Sequence, residues 1–234
     1  MEFHGLQPIG IEELEVSDNT IETSCHSLFI EDIPDKFEHI PMEKDEPQNI
    51  YERIEGGKKY KLFIGNFEST PRENFRIFNK LQEAEPNSLL EIFISSDGGN
   101  FYEILDFYNV IKPKFFVTTF LSRGYSAGSL MFLIGDDRII YEHSDFMVHS
   151  YTSVTSGKRQ DLLDRTYHQD KIITRFFNKV YKPYFTKKEL KKIDKGQDFW
   201  MDSEEMLKRN IATGIILDDG NYLTRDEYLK GGKE

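Results

Sequence analysis

Phe115-Phe116-Val117-Thr118-Thr119-Phe120-Leu121 runs into Ser122-Arg123-Gly124-Tyr125-Ser126-Ala127-Gly128, and that into Ser129-Leu130-Met131-Phe132-Leu133-Ile134-Gly135. The first seven residues, β-branched and aromatic, read as a buried strand. The last run carries no charge, starts small and closes on glycine, as a buried helix does. Ser126 therefore falls where a strand turns sharply into a helix. Such a turn lifts a hydroxyl clear of the backbone and aims the first helical amides at whatever the hydroxyl attacks. By itself Gly-x-Ser-x-Gly also suits a simple tight turn, so its surroundings have to decide.

Upstream, strand and helix patterns alternate. Tyr60 to Gly65 reads as a strand. Thr70-Pro71 opens a helix with Phe75, Phe78, Leu81 and Ala84 at helical spacing, and Leu89 to Ser95 is the next strand. Ser95-Ser96-Asp97-Gly98-Gly99-Asn100 is a turn, and Phe101 to Ile111 a helix that Pro113 stops. This order specifies an α/β fold with a mainly parallel sheet wrapped by helices. Such sheets place their sites at the carboxyl ends of strands, where both Gly98-Gly99 and Ser126 fall. Downstream, Asp145 to His149 is a strand ending on histidine, and 150–157 is polar. Lys158 to Lys182 is one long helical stretch without Gly or Pro. Thr186 caps Lys187 to Ile193, Asp194 lies just past it, Ser203 opens another helix, and Gly214 to Leu217 is a short last strand.

A serine hydroxyl needs a base, and the base needs an acid to fix its tautomer. The α/β-hydrolase order Ser, acid, His is disfavoured, because none of the six histidines lies beyond His168. The order Ser126, His149, then a later acid stays open.

Composition narrows the classes. Residues 1–50 hold 13 acidic residues against 2 basic ones, which accounts for the whole net charge of −11. The remainder is balanced and lacks the basic face that nucleic acid requires. Residues 1–49 read as an acidic leader, largely extended or disordered, with a short helix around Asn49 to Ile54; residues 50–234 read as the domain. No run is apolar and long enough for a membrane span. The single cysteine, Cys25, makes a reducing, cytoplasmic setting the default.

Several motifs in order carry a family resemblance: Lys61-Leu62-Phe63-Ile64-Gly65, Ser96-Asp97-Gly98-Gly99, Ile111-Lys112-Pro113, the Ser126 block, Phe146-Met147-Val148-His149, and Phe199-Trp200-Met201-Asp202-Ser203-Glu204-Glu205 with Gly214 after it. From about Asn49 to Leu217 the chain resembles the proteolytic subunit of the Clp protease, a self-compartmentalising serine peptidase of the crotonase-like superfamily. The resemblance implies repeated β-β-α-type units and a projecting handle helix at about 158–182. It implies Ser126 as nucleophile, His149 as base and Asp194 as orienting acid, with Asp198, four residues on, able to take that place. It places the oxyanion donors at the backbone amides of Gly98 and Ala127, and an extended substrate strand along 150–157. It implies a homo-oligomeric assembly of stacked heptameric rings, polypeptide substrates, a hexameric AAA+ unfoldase as partner, and no metal or organic cofactor. A phage-type maturation protease is a variant of the same class. Asp97 departs from the family, where proline usually precedes the two glycines. Two other readings stand beside this one: a non-catalytic ring or scaffold subunit of the same fold, and a crotonase-type acyl-CoA enzyme.

Overall fold

A computed structural model describes residues 20–23, 25–32, 58–67, 71–86 and 88–231. In chain order the elements are β1 (Thr20–Glu22), β2 (His26–Asp32), β3 (Lys58–Ile64), α1 (Pro71–Glu83), β4 (Ser88–Ser96), α2 (Phe101–Ile111), β5 (Phe115–Tyr125), α3 (Ala127–Leu133), β6 (Asp137–Val148), α4 (Arg159–Tyr181), α5 (Lys187–Asp194), β7 (Phe199–Met201), α6 (Ser203–Lys208), β8 (Gly214–Ile216), β9 (Tyr222–Thr224) and α7 (Arg225–Gly231).

The centre of the sheet is parallel, as the alternation of patterns predicts. Strands β3, β4, β5, β6 and β8 lie side by side in that order and all run the same way. Their inward residues, among them Leu62, Ile92, Val117, Leu121 and Ile140, are fully buried. Helix α3 is buried along its whole length, which explains its lack of charge.

Strands β1 and β2, within the acidic leader, pair with each other, and β2 pairs antiparallel with β3 from His26↔Ile64 to Asp32↔Lys58. The hairpin covers an edge that would otherwise stand open. It is fastened by Ile21 and Leu28 in the core and by His26, whose Nε2 lies 2.8 Å from the buried Glu103 carboxylate on α2. The expected helix around Asn49 lies outside the described residues.

Other boundaries shift for local reasons. On α1 the buried face is Asn74, Ile77, Leu81 and Ala84, while Phe75 is exposed; Asn74 turns in because it hydrogen-bonds Glu103. Strand β6 starts at Asp137, well before Asp145, and bulges against β5 between Leu121↔Ile140 and Arg123↔Asp145. Ser144 bridges the bulge, accepting from the Tyr141 amide and donating to the Leu121 carbonyl. The polar residues 141–144 hide the strand from any periodicity.

Candidate active site

Ser126 follows β5 directly and caps α3, with φ 53° and ψ −115°. A non-glycine residue there carries about 1–3 kcal/mol of strain and persists only where its surroundings fix it. Here they do. The Ser126 amide donates to the Met147 carbonyl at 3.0 Å, and the Ser126 carbonyl accepts from the Ser129 and Leu130 amides at 3.1 and 3.3 Å. Gly128 lets the elbow sit against β4, since a Cβ there would stand 3.0 Å from the Ser96 Cβ. The bond to Met147 also brings Ser126 beside the end of β6, two residues before His149.

His149 is half-buried, and its Nε2 is buried without a hydrogen-bond partner among the described residues. No hydrogen bond joins it to Ser126 in this arrangement.

Asp194 ends α5, exposed, in the wall of a cleft of about 560 Å³ that also contains Tyr151, Asp170, Phe177 and Tyr181. Burial, the hydrogen bond to Asp170, and the charges of Asp170 and then Asp194 push the Tyr151 phenol pKa up. Asp194 therefore stands near Tyr151, and no hydrogen bond or ion pair joins it to His149. Asp198 is differently placed. Strands β6 and β7 pair antiparallel as Phe146↔Met201, Met147↔Trp200 and Val148↔Phe199. One further step of that register, past the last paired residues, would set His149 opposite Asp198; no hydrogen bond or ion pair joins these two either.

Gly98 has φ 112°, and a Cβ on it would meet the Ser126 Cβ at 2.7 Å and the Ala127 nitrogen at 3.3 Å. Gly98 and Ala127 are thus brought against Ser126 together. Their amides differ in state. That of Ala127 is the first of α3 and has no acceptor within the helix. That of Gly98 donates to Ser96 Oγ at 3.1 Å. Phe67 takes the Gly98 carbonyl on its own amide at 2.8 Å and accepts from the Asn100 amide at 2.7 Å. The Gly99 amide between them has no acceptor among the described residues. Gly99 is held by a bridge to Phe67 that no local pattern carries.

Asp97 turns outward. Its Oδ1 pairs with Arg123 Nε at 3.0 Å, and its amide donates to Asn66 Oδ1 at 2.7 Å. Beyond the pair, Tyr125 donates to Asp145 at 2.6 Å; that bond, then burial and the Asp145 charge raise the Tyr125 pKa. Among the described residues no group of three or more His, Cys, Asp or Glu could hold a metal ion, and no helix is long and apolar enough to cross a membrane.

The family model described as Clp protease matches residues 58–218. The chain belongs to the Clp protease family. A search of curated proteins finds no match. The matched span of this Clp protease family member runs from the start of β3 to just past β8, so it takes in the elbow, the glycine loop, His149 and both candidate acids. The hairpin of residues 20–32 lies outside it.

Proposed function

We propose that this Clp protease family member is a serine endopeptidase working inside a self-compartmentalised ring. The observation that carries the reading is the strained Ser126 at a strand-to-helix elbow, with the Ala127 amide and the glycine loop against it. Ser126 Oγ attacks the peptide carbonyl carbon while His149 takes its proton. The carbonyl oxygen becomes an oxyanion received by the Ala127 amide and a glycine-loop amide. His149 then returns the proton to the leaving amine, and water repeats the cycle on the acyl-enzyme. Asp198 steadies the imidazolium in this reading, supported by the β6–β7 register; Asp194, the acid implied by resemblance, is the competing candidate.

Polypeptide substrates, stacked rings, an AAA+ unfoldase and a cytoplasmic setting follow from family likeness as parts of the proposal. So does the variant in which the enzyme is a phage-type maturation protease. The projecting α4, with Leu163 and Tyr167 exposed, suits packing against a second copy.

One observation favours a second reading, a non-catalytic ring subunit. The Gly98 amide is engaged by Ser96, and His149 is joined to neither Ser126 nor Asp194. Apo catalytic sites often tighten only on binding or assembly. The deciding test is hydrolysis of a fluorogenic peptide and fluorophosphonate labelling, wild type against Ser126→Ala, with particle mass measured on the same samples. Labelling and cleavage lost in the variant establish the peptidase. An assembled ring that neither labels nor cleaves establishes the scaffold.

A further inference from the structure

Tyr181, the last residue of α4, is fully buried, yet its hydroxyl is paired: it lies 2.8 Å from Ser129 Oγ. Ser129, on α3 and also buried, donates its own hydroxyl to the Ser126 carbonyl at 2.6 Å. Proton counting fixes the direction of the chain. Ser129 has one hydroxyl proton and the carbonyl has none, so Tyr181 must donate to Ser129. Burial, against the smaller opposing effect of the Ser129 bond, pushes the Tyr181 phenol pKa far up, so it stays a neutral donor at any working pH.

The acceptor at the end of this chain is the other half of the peptide unit that carries the Ala127 amide. That unit is planar and trans, so its C=O and N–H point in opposite directions. Whatever holds the Ser126 carbonyl also aims the Ala127 N–H. Resting on the serine-peptidase reading above, we infer that Tyr181 is a positioning residue which, through Ser129, orients the Ala127 amide toward the oxyanion.

The same helix reaches the other wall of the site. Phe176 and Phe177 pack edge-on against Phe101, the first residue after the Gly98-Gly99-Asn100 loop, with ring centroids 5.6 and 5.9 Å away. Phe177 and Phe185 flank the Tyr181 ring in turn, at 5.3 and 5.8 Å. Helix α4 therefore grips both sides of the oxyanion site, while its other end projects with Leu163 and Tyr167 exposed.

The experiment compares wild type, Tyr181→Phe, Ser129→Ala and the double variant. It reads kcat and KM on a fluorogenic peptide, the fluorophosphonate labelling rate, melting temperature and particle mass. Tyr181→Phe is expected to lower kcat and the labelling rate together by about 5- to 20-fold, short of the 10²–10³ lost with a whole donor. KM stays within about twofold, and the double variant falls no further than Ser129→Ala, since both lie on one chain. An unchanged kcat, or losses that multiply, overturns the inference. If Tyr181→Phe fails to assemble, Ser129→Ala decides, and full kcat there overturns the relay. A wild type that neither labels nor cleaves overturns the peptidase reading, and this inference with it.

Discussion

Asp97 and Arg123 form an ion pair at the rim of the site, Oδ1 to Nε 3.0 Å, with both side chains about half exposed. The pair ties the glycine loop to β5 just before the elbow. It also neutralises a carboxylate one residue from Gly98, where negative charge would oppose an oxyanion. Arg123→Gln should leave that carboxylate uncompensated and lower kcat about 3- to 10-fold at low salt, less at high salt. The double variant Asp97→Asn/Arg123→Gln should recover it. Stability should shift by less than about 1 kcal/mol, as exposed pairs do. Equal kcat for Arg123→Gln and wild type at low salt would remove the pair from the mechanism.

The β6–β7 register supports Asp198 as the acid in the proposed mechanism. Asp198→Asn should lower kcat about 10³- to 10⁴-fold with little change in KM, the size of effect seen when a triad loses its orienting acid. Asp194→Asn should cost less than about tenfold, acting only through the cleft around Tyr151. The reverse ranking would return the role to Asp194.

The N-terminal hairpin belongs to the core. Leu28 is fully buried, so Leu28→Ala should cost about 2–5 kcal/mol and lower the melting temperature by about 4–15 °C. Calorimetry checks this. A shift under 2 °C would mean that β2 is not held against β3 in solution.

Glu189 closes a capping box at the start of α5, the helix that leads toward both candidate acids. Burial raises its pKa, but the Thr186 amide and hydroxyl and the Arg209 guanidinium outweigh it and bring it below the ordinary value. A depressed carboxylate stabilises the fold above its unfolded pKa, about 4.3, and that contribution is lost as pH falls through the folded pKa. Glu189→Gln should therefore cost about 1 kcal/mol at pH 7. The gap should shrink as pH is lowered below about 4.3, as read from urea midpoints along a pH series. A gap unchanged with pH would show that the carboxylate's charge contributes nothing.

Much of this chain is written locally. The alternation of strands and helices, the sharp turn at Ser126, the uncharged α3 and the long α4 all follow from the periodicity of short windows. The reason is that a parallel sheet covered on both faces imprints apolar runs on its strands and stripes on its helices. The positions of Ser126, His149 and the glycine loop at strand ends were legible for the same reason, since each of those strands announces itself. What tertiary structure decided is which groups meet across distance. Strands β1 and β2 look like part of a polar leader in the sequence, and only the pairing of β2 with β3 places Leu28 in the core. Family likeness points to Asp194, and the pairing of β7 with β6, one step short of Asp198, is what brings that second candidate forward. The partner of Asp97, the acceptor of the Gly98 amide and the hydroxyl chain from Tyr181 to Ser126 join residues far apart in sequence. A hydrogen-bond partner is set by which atoms the packed backbone brings within about 3 Å, and no local pattern encodes that.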